Sequence, residues 1–474
     1  VLGDAETLAQ LSLPAGCTAL PLTGAAADFV PPDGRTSADL FHILFTSGST
    51  GKPKGVMLQH RALSNLFASL SPLLRQTSGP ILCSTNLLFD TFITESLVPL
   101  ALGRTVVLAD EEEMLLPHRL AAVMERHSPA VMQLTPSRLQ MYLGHAPLSA
   151  AIGRLQTMIL AGEALAPELV RRLRQTGCAR VYNLYGPTEA AVYATGDEVE
   201  GDDVTIGTPL FNCKAYILDE NLQIVPPLAR GELFLAGECL ALGYAGDDAL
   251  TGCCFVPDPF CPGRRMYRTG DLVRRRADGK LDFIGRRDRQ IKLNGQRVEL
   301  TEVIGALLRQ EGVGEAEAVP VTGSDGSMAL RAFVVPAPNA RCDGGALQEG
   351  LRRTLPSYMV PQRITVLDAM PRTPSGKADL IALAAMEEPS DSLPAQAGDD
   401  GIEGLWRQVL HCDTVSRTRS FFEQGGTSLA ALSLLSLYYD KGFSLTLAQF
   451  YEHPTIEEQL PLLTRGAQPC PPPK

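Results

Sequence analysis

At 474 residues the chain is long enough for two to four domains of ~100–200 residues each, which excludes a single small module. Its 45% hydrophobic and 20% charged residues, with a mean hydropathy of +0.03, exclude a disordered chain and leave enough apolar side chain for a sizeable core. The 42 Lys and Arg against 53 Asp and Glu give a net charge of -11, which opposes attraction to nucleic acid or to an anionic bilayer.

No apolar run approaches the ~20 residues of a membrane helix. The opening VLGDAETLAQ lacks the basic and apolar segments of an export signal, so a cytoplasmic location and no membrane partner are expected. The eleven cysteines are scattered, and Cys253, Cys254 and Cys261 lack both zinc-ligand spacing and nearby histidines, so reduced thiols are expected. The chain begins with Val1 rather than Met, which suggests a fragment, a processed product or an excised piece of a longer polypeptide.

In chain order, the runs FHILFT (41–46), TVVLA (105–109), AVMQLT (130–135) and TMILA (157–161) alternate with helix-like stretches at 61–74, 116–126 and 166–176. This alternation predicts βα units around a largely parallel sheet. From Thr205 the texture changes to short strands with turn signals: AYILDENLQIVP, GELFLAG and RRRADGKLDFIG, the last with a hairpin at Asp278-Gly279. A small α+β unit follows to about residue 386, with strands QIKLN, LRAFVVP and RITVL and helices at 299–310 and 345–354. The acidic EEPSDSLPAQAGDD at 387–400 reads as a connector. Residues 401–466 read as helices (IEGLWRQVL, LAALSLLSLYYD, IEEQLPLL), and the terminal GAQPCPPPK reads as a frayed tail or linker.

The densest chemical signal is Thr46-Ser47-Gly48-Ser49-Thr50-Gly51-Lys52-Pro53-Lys54-Gly55, directly after a strand-like run. Hydroxyls, glycines and lysines so close together can wrap phosphate oxygens. The run fails the Walker spacing, because Pro53 follows the lysine where Ser or Thr would stand, and alone it could equally be a solvated surface loop. Downstream come Asn183-Leu184-Tyr185-Gly186-Pro187-Thr188-Glu189, Tyr267-Arg268-Thr269-Gly270-Asp271-Leu272, Gly285-Arg286-Arg287-Asp288-Arg289-Gln290-Ile291-Lys292 and Pro374-Ser375-Gly376-Lys377. In this order the motifs resemble the adenylate-forming superfamily, and specifically the adenylation domains of nonribosomal peptide synthetases.

The resemblance runs from about residue 38 to residue 386. It implies a multidomain α/β chain: a large α/β adenylate-forming unit with a β-rich part (1–284), a small α+β unit (285–386), a linker (387–400), an all-α four-helix carrier domain (401–466) and a tail (467–474). It implies two half-reactions: an amino acid carboxylate attacks the α-phosphorus of ATP with loss of pyrophosphate, and a thiol then attacks the aminoacyl adenylate. The first brings like charges together, so cation placement and alignment should dominate catalysis. By the resemblance Lys377 bridges the substrate carboxylate and phosphate or ribose oxygens, and Glu189 helps hold Mg²⁺. Asp271 accepts from the ribose hydroxyls, and the 46–55 loop gathers the β- and γ-phosphates. Asn183, Tyr185, Gly186, Thr188 and Arg286 belong to the same ATP site. Asp288 is the hinge whose rotation withdraws Lys377 and brings the face near Lys292-Leu293-Asn294-Gly295 to the site. Asn294 stands where the family usually has arginine.

The amino acid pocket, by the same resemblance, is lined by Asp90, Thr91, Thr94, Ser137, Ile159, Ala161, Leu184, Val192 and Tyr193. A carboxylate at Asp90 pairs with an α-ammonium, which an aryl or fatty acid would not need. The remaining lining is uncharged, so a neutral side chain, apolar or aromatic, is expected. The segment Phe421-Phe422-Glu423-Gln424-Gly425-Gly426-Thr427-Ser428-Leu429 resembles the peptidyl carrier domain, with Ser428 receiving 4′-phosphopantetheine. A helix start suits a phosphodiester, although a serine there could simply cap the helix. Ser420 replaces an acidic residue common in the family.

The cofactors implied are ATP, Mg²⁺ and 4′-phosphopantetheine. The partners implied are an amino acid, a phosphopantetheinyl transferase and further synthetase domains for condensation, release or reduction. The part of the large unit before the SGSTG loop is shorter than the family's by roughly a hundred residues, about one ordinary domain, which should expose sheet edges and apolar faces. Three alternatives stay open: an acyl- or aryl-CoA ligase, the loading segment of a carboxylic acid reductase, and a truncated module with only carrier and docking roles.

Overall fold

A computed structural model of the chain describes residues 2–3, 20–21, 34, 36–46, 53–287, 290–293, 296–322, 328–337, 340–373, 378–386, 401–410, 412, 414–422, 424, 426 and 428–465. They belong to two compact units, Val1–Asp39 and Leu40–Lys474. In the first, β1 (Leu2–Gly3) and β2 (Leu20–Pro21) pair in parallel.

The second unit opens with β3 (Leu40–Thr46) and β4 (Lys54–Gln59), which pair antiparallel. The FHILFT run therefore forms a strand as expected, but outside the parallel sheet, because only a short segment separates it from β4 and a parallel crossover needs a dozen residues or more. On β3, Leu40, Ile43 and Phe45 are exposed. Helix α1 (His60–Arg75) follows, burying Leu63, Leu66, Leu70, Leu73 and Leu74 on one face.

The βα alternation holds in the next segment. Strands β5 (Ile81–Cys83), β6 (Val106–Leu108), β7 (Val131–Leu134), β8 (Thr157–Ala161) and β9 (Arg180–Tyr185) are parallel neighbours. Two antiparallel strands, β10 (Thr195–Glu198) and β11 (Thr208–Pro209), complete a seven-stranded sheet of order β11-β10-β9-β8-β7-β5-β6. The connecting helices are α2 (Thr91–Glu95), α3 (Leu97–Ala101), α4 (Glu111–Leu115), α5 (Pro117–His127), α6 (Pro136–Leu143), α7 (Ala146–Ile152) and α8 (Pro167–Gln175). Met132, Leu134, Met158 and Leu160 pack with α5, α6 and α8 on one face. Val131, Ile159, Ala161 and Leu184 pack with α1 on the other. Burial on both faces explains why the strands read as continuous apolar runs.

The β-rich part forms as expected. Strands β12 (Cys213–Leu218) and β13 (Arg230–Gly237) pair antiparallel, and β14 (Gly243–Tyr244) returns to β4. After α9 (Asp248–Cys254), strands β15 (Phe255–Pro257), β16 (Arg265–Arg275) and β17 (Leu281–Arg286) complete a five-stranded sheet. The β16–β17 turn has Gly279 at φ +88, a conformation glycine adopts without strain. Pairing of β17 continues to Arg286, opposite Asp271.

Next come the hairpin β18 (Gln290–Leu293) and β19 (Gln296–Glu299), helix α10 (Leu300–Leu308), β20 (Val313–Thr322), β21 (Met328–Pro336), α11 (Gly344–Arg352), β22 (Arg363–Val366) and α12 (Leu380–Ala385). Val298, Val303, Leu307, Leu330, Ala332 and Leu351 form their own core. The last described segment has the four helices expected: α13 (Ile402–Leu410), α14 (Ser428–Asp440), α15 (Leu447–Glu452) and α16 (Ile456–Gln459). It departs from an all-α pattern by a two-residue ladder between β23 (Phe443–Ser444) and β24 (Thr464–Arg465), which follows the turn at Gly442, φ +79. Its core holds the fully buried Trp406, whose indole donates to Tyr438 Oη at 2.6 Å, which in turn donates to Gln459 at 2.9 Å. No described helix is long and apolar enough to cross a membrane.

Candidate functional site

The site grows from the C-terminal end of β9, the edge at which open α/β sheets bind ligands. Beyond it the Gly186-Pro187-Thr188-Glu189 turn is locked by close backbone approach. A Cβ on Gly186 would lie 2.4 Å from the Val192 carbonyl oxygen and 2.7 Å from Tyr193 Cα. The returning segment carries Ala191 at φ 52 and Val192 at φ 72, the latter strained for a β-branched residue.

Three carboxylates meet around this turn. Asp90, half-buried at the start of α2, accepts a 2.6 Å hydrogen bond from Thr188 Oγ1. Burial raises its pKa, while the Thr188 bond and the Lys292 ammonium oppose that. Asp271 on β16 accepts from Arg286 Nη1 at 2.6 Å and from the Tyr185 hydroxyl, and burial together with that carboxylate pushes the Tyr185 phenol well up. A carboxylate has about four acceptor positions, so Asp271 can still receive further donors.

Glu189 is fully buried. It accepts from Tyr244 Oη at 2.8 Å and from Arg297 Nη1 at 3.1 Å on both oxygens, with Lys54 Nζ 3.6 Å away. Burial alone would raise its pKa, but Arg297, Lys54 and the Tyr244 hydroxyl outweigh it and hold the carboxyl at about 2. Arg297 belongs to β19, so the β18–β19 hairpin reaches this turn from the neighbouring core. The same hairpin brings Lys292 over the Tyr185 ring, 6.0 Å from its centroid, near Asp271 and Asp90. Burial lowers the Lys292 pKa and those two carboxylates oppose the change. Of the segment Lys292-Leu293-Asn294-Gly295, only Lys292 and Leu293 lie within the described residues.

Below Asp90 lies a second cluster. Thr94 Oγ1 lies 2.6 Å from Thr91 O and 3.0 Å from Gln133 Oε1, and Gln133 Nε2 donates to Glu95 Oε1 at 3.0 Å. The other Glu95 oxygen accepts the Ser84 and Thr85 amides at 2.7 and 3.0 Å. Burial pushes the Glu95 carboxyl up to about 7. Ile159, Ala161, Leu184, Val192 and Tyr193 form one buried apolar group beside it. The Tyr193 hydroxyl is buried with no hydrogen-bond partner among the described residues, and burial, Glu95 and Asp90 raise its pKa well above the ordinary value.

The structure thus gathers Lys54, Asp90, Tyr185, Thr188, Glu189, Asp271 and Arg286 around the turn, and Thr91, Thr94, Ile159, Ala161, Leu184, Val192 and Tyr193 below it. Asn183, within β9, donates its side-chain amide to Thr205 O at 2.7 Å. One residue differs from expectation. Ser137 gives both its amide (2.9 Å) and its hydroxyl (2.6 Å) to Glu163, and Gln133 holds the place expected of it. The register explains this: Gln133 lies opposite Ile159 in the β7–β8 pairing, whereas Ser137 is already in α6. The sequence reading missed Gln133, Glu95, Tyr244 and Arg297. A glutamine inside the apolar AVMQLT run and a glutamate inside TFITESLV were the available signals for the first two.

The Thr46 hydroxyl, at the end of β3, is buried without a partner among the described residues. Ser47, Gly48, Ser49, Thr50, Gly51, Asp288 and Lys377 lie outside the described residues. Ser428 begins α14, but its side chain also lies outside them. No cluster of three or more metal-ligating side chains exists among the described residues. Glu189 nonetheless fits Mg²⁺, which commonly takes one or two carboxylates and completes its shell with water and substrate phosphate. In the arrangement seen, Arg297 occupies the oxygens such an ion would need.

The AMP-binding enzyme family matches residues 6–245, the AMP-binding enzyme C-terminal domain matches 302–377, and the phosphopantetheine attachment site matches 400–460. The first match corrects the expectation that the likeness begins near residue 38. The dimodular nonribosomal peptide synthase of Bacillus subtilis (strain 168) is 36% identical over 457 residues, covering 94% of this chain and 19% of that protein. Surfactin synthase subunit 1 of the same organism is 34% identical over 438 residues, covering 88% and 12%. The chain therefore spans about a fifth or less of these relatives. Among solved structures, holo-PA1221, a protein containing adenylation and PCP domains bound to a vinylsulfonamide inhibitor, aligns with TM-score 0.77 at 28% identity, over 95% of this chain and 77% of that one. Holo-AB3403, a four-domain nonribosomal peptide synthetase bound to AMP and glycine, aligns with TM-score 0.54 at 31% identity, over 97% and 35%.

Proposed function

Because the chain belongs to the AMP-binding enzyme family, we propose that it activates an amino acid with ATP as the aminoacyl adenylate, releasing pyrophosphate, and loads it onto its own carrier segment in nonribosomal peptide synthesis. The observation that carries this reading is Asp90, a carboxylate held by Thr188 directly beside the Glu189 turn. An amino acid brings an ammonium to such a group, and an aryl or fatty acid brings none. Lys292, the cation now near Asp90, belongs to the β18–β19 hairpin, which rotation about a hinge at Asp288 would move.

The units proposed are 1–284, 285–386, a linker at 387–400, a carrier at 401–466 and a tail at 467–474. Lys377 offsets repulsion between the substrate carboxylate and the triphosphate, with Asp271, Tyr185 and Arg286 orienting the ribose side. Thr46 to Gly51 and Lys54 hold the outer phosphates, and the Gly186–Thr188 turn shapes the floor. Mg²⁺, held by Glu189, would supply further positive charge to the phosphates. Phosphopantetheine on Ser428 would supply the accepting thiol, at the start of a 13-residue helix whose N-terminal dipole suits its phosphodiester. The substrate side chain is neutral, since its expected lining carries no counter-ion apart from Glu95, which Gln133, Ser84 and Thr85 already satisfy. The partners proposed are a phosphopantetheinyl transferase and other synthetase domains. A cytoplasmic setting is part of the same reading, supported by nine free cysteines among the described residues.

The test is pyrophosphate exchange across a panel of amino acids, paired with intact mass after phosphopantetheinylation. Exchange with one or a few neutral amino acids, followed by a matching mass increase, is expected. Exchange with none would contradict the activation, and exchange without a mass increase would contradict self-loading.

A further inference from the structure

Rings join the carrier segment to the helices of the seven-stranded sheet. His118, the second residue of α5, and Tyr439, the next-to-last residue of α14, stack with centroids 3.7 Å apart and planes 8° from parallel. Leu116, just before α5, packs against the carrier core around Trp406 and Phe421. His118 Nδ1 is buried without a hydrogen-bond partner among the described residues. Burial first, and then Arg119 and His145, bring the imidazole pKa down to about 4. Arg119 itself is turned to Glu112 at 2.6 Å. The contact is therefore one between neutral rings, with an aliphatic side chain beside them.

We propose that the Leu116–His118 face of α5 is the docking surface for the chain's own carrier, and that Tyr439 is the carrier residue it reads. The proposal rests on the reading of 401–466 as a carrier. Tyr439 lies eleven positions beyond Ser428 along α14, about 16 Å at the α-helical rise. A grip at the C-terminal end of the helix fixes its direction and leaves the attachment end clear of the contact. His118 and Tyr439 are positioning residues, acting on delivery and not on the chemistry at the turn.

The test uses the full chain in its phosphopantetheinylated form, comparing wild type with His118→Ala, Tyr439→Ala and His118→Phe. Aromatic pairs of this kind contribute modestly, so each alanine variant should load its carrier about 3- to 10-fold more slowly in single turnover, with pyrophosphate exchange and the thermal midpoint unchanged. His118→Phe, which keeps the stack, should load within about twofold of wild type, a rescue that a general loss of stability would not give. Hydrogen exchange at α5 and α14, which needs no turnover, should rise in both alanine variants. Alanine variants that load at the wild-type rate, or whose hydrogen exchange is unchanged, would overturn the docking assignment. A wild type without exchange on any amino acid would instead overturn the proposed activity, leaving the hydrogen-exchange comparison to decide the docking.

Discussion

Two buried glutamates show how neighbours decide charge at single positions. Glu189 sits with two cations and a phenol and is held ionised down to about pH 2, while Glu95 sits among neutral donors and has its pKa pushed up to about 7. The signs differ accordingly. Glu189 adds stability that is present above its ordinary pKa near 4.5 and is lost as pH falls toward about 2, a linkage of about 3 kcal/mol. In Arg297→Ala that protection shrinks, so acid unfolding should begin at higher pH; an unchanged acid midpoint would show the ion pair to be inert. Glu95 favours its protonated form, so the stability it brings is present below about pH 4.5 and lost as pH rises through about 7. Urea unfolding should find wild type losing up to about 3 kcal/mol between pH 5 and pH 8, with Glu95→Gln removing most of that slope. Asp90→Ala should raise the KM for amino acid about 10- to 100-fold while the KM for ATP stays within about twofold, as expected of a lost charge-assisted bond. Equal effects on both substrates would place Asp90 elsewhere.

At the scale of elements, the site depends on one turn and one hairpin. Gly186→Ala would drive a methyl into the Val192–Ala194 backbone, where nothing flexible can yield, and should cost about 2–4 kcal/mol in unfolding free energy; a loss under about 0.5 kcal/mol would mean the segment can shift. The turn was legible in the chain as Asn-Leu-Tyr-Gly-Pro-Thr-Glu, and so were the strands of the parallel sheet, because burial on both faces leaves continuous apolar runs. What local pattern does not encode is long-range. Lys54 and Gly55 read as the end of a phosphate loop but open strand β4, since its partners β3 and β14 lie on either side of it, one of them more than 180 residues away. Gln133 was passed over for Ser137 because only the β7–β8 register tells which of two nearby polar residues shares a face with Ile159. Arg297 is unremarkable in QRVE, and its meaning comes from the hairpin crossing to Glu189, a pairing no local spacing encodes.

For the whole molecule, the arrangement seen commits the β18–β19 hairpin to the turn: Arg297 holds Glu189, and Lys292 lies near Asp271 and Asp90. Metal and Arg297 cannot share the same carboxylate oxygens, so the proposed first half-reaction requires the hairpin to withdraw, as rotation about Asp288 would allow. Ser428→Ala should then spare pyrophosphate exchange and abolish the mass increase, because attachment and activation belong to different cores. Loss of exchange in that variant would contradict their independence. The most direct measurement of the central claim, that one lysine offsets the repulsion between carboxylate and triphosphate, is amino-acid-dependent pyrophosphate exchange by wild type and Lys377→Ala. Wild type should exchange with at least one neutral amino acid and the variant should fall by about 100-fold or more, as loss of a preorganised charge predicts. A variant exchanging at the wild-type rate would contradict the account.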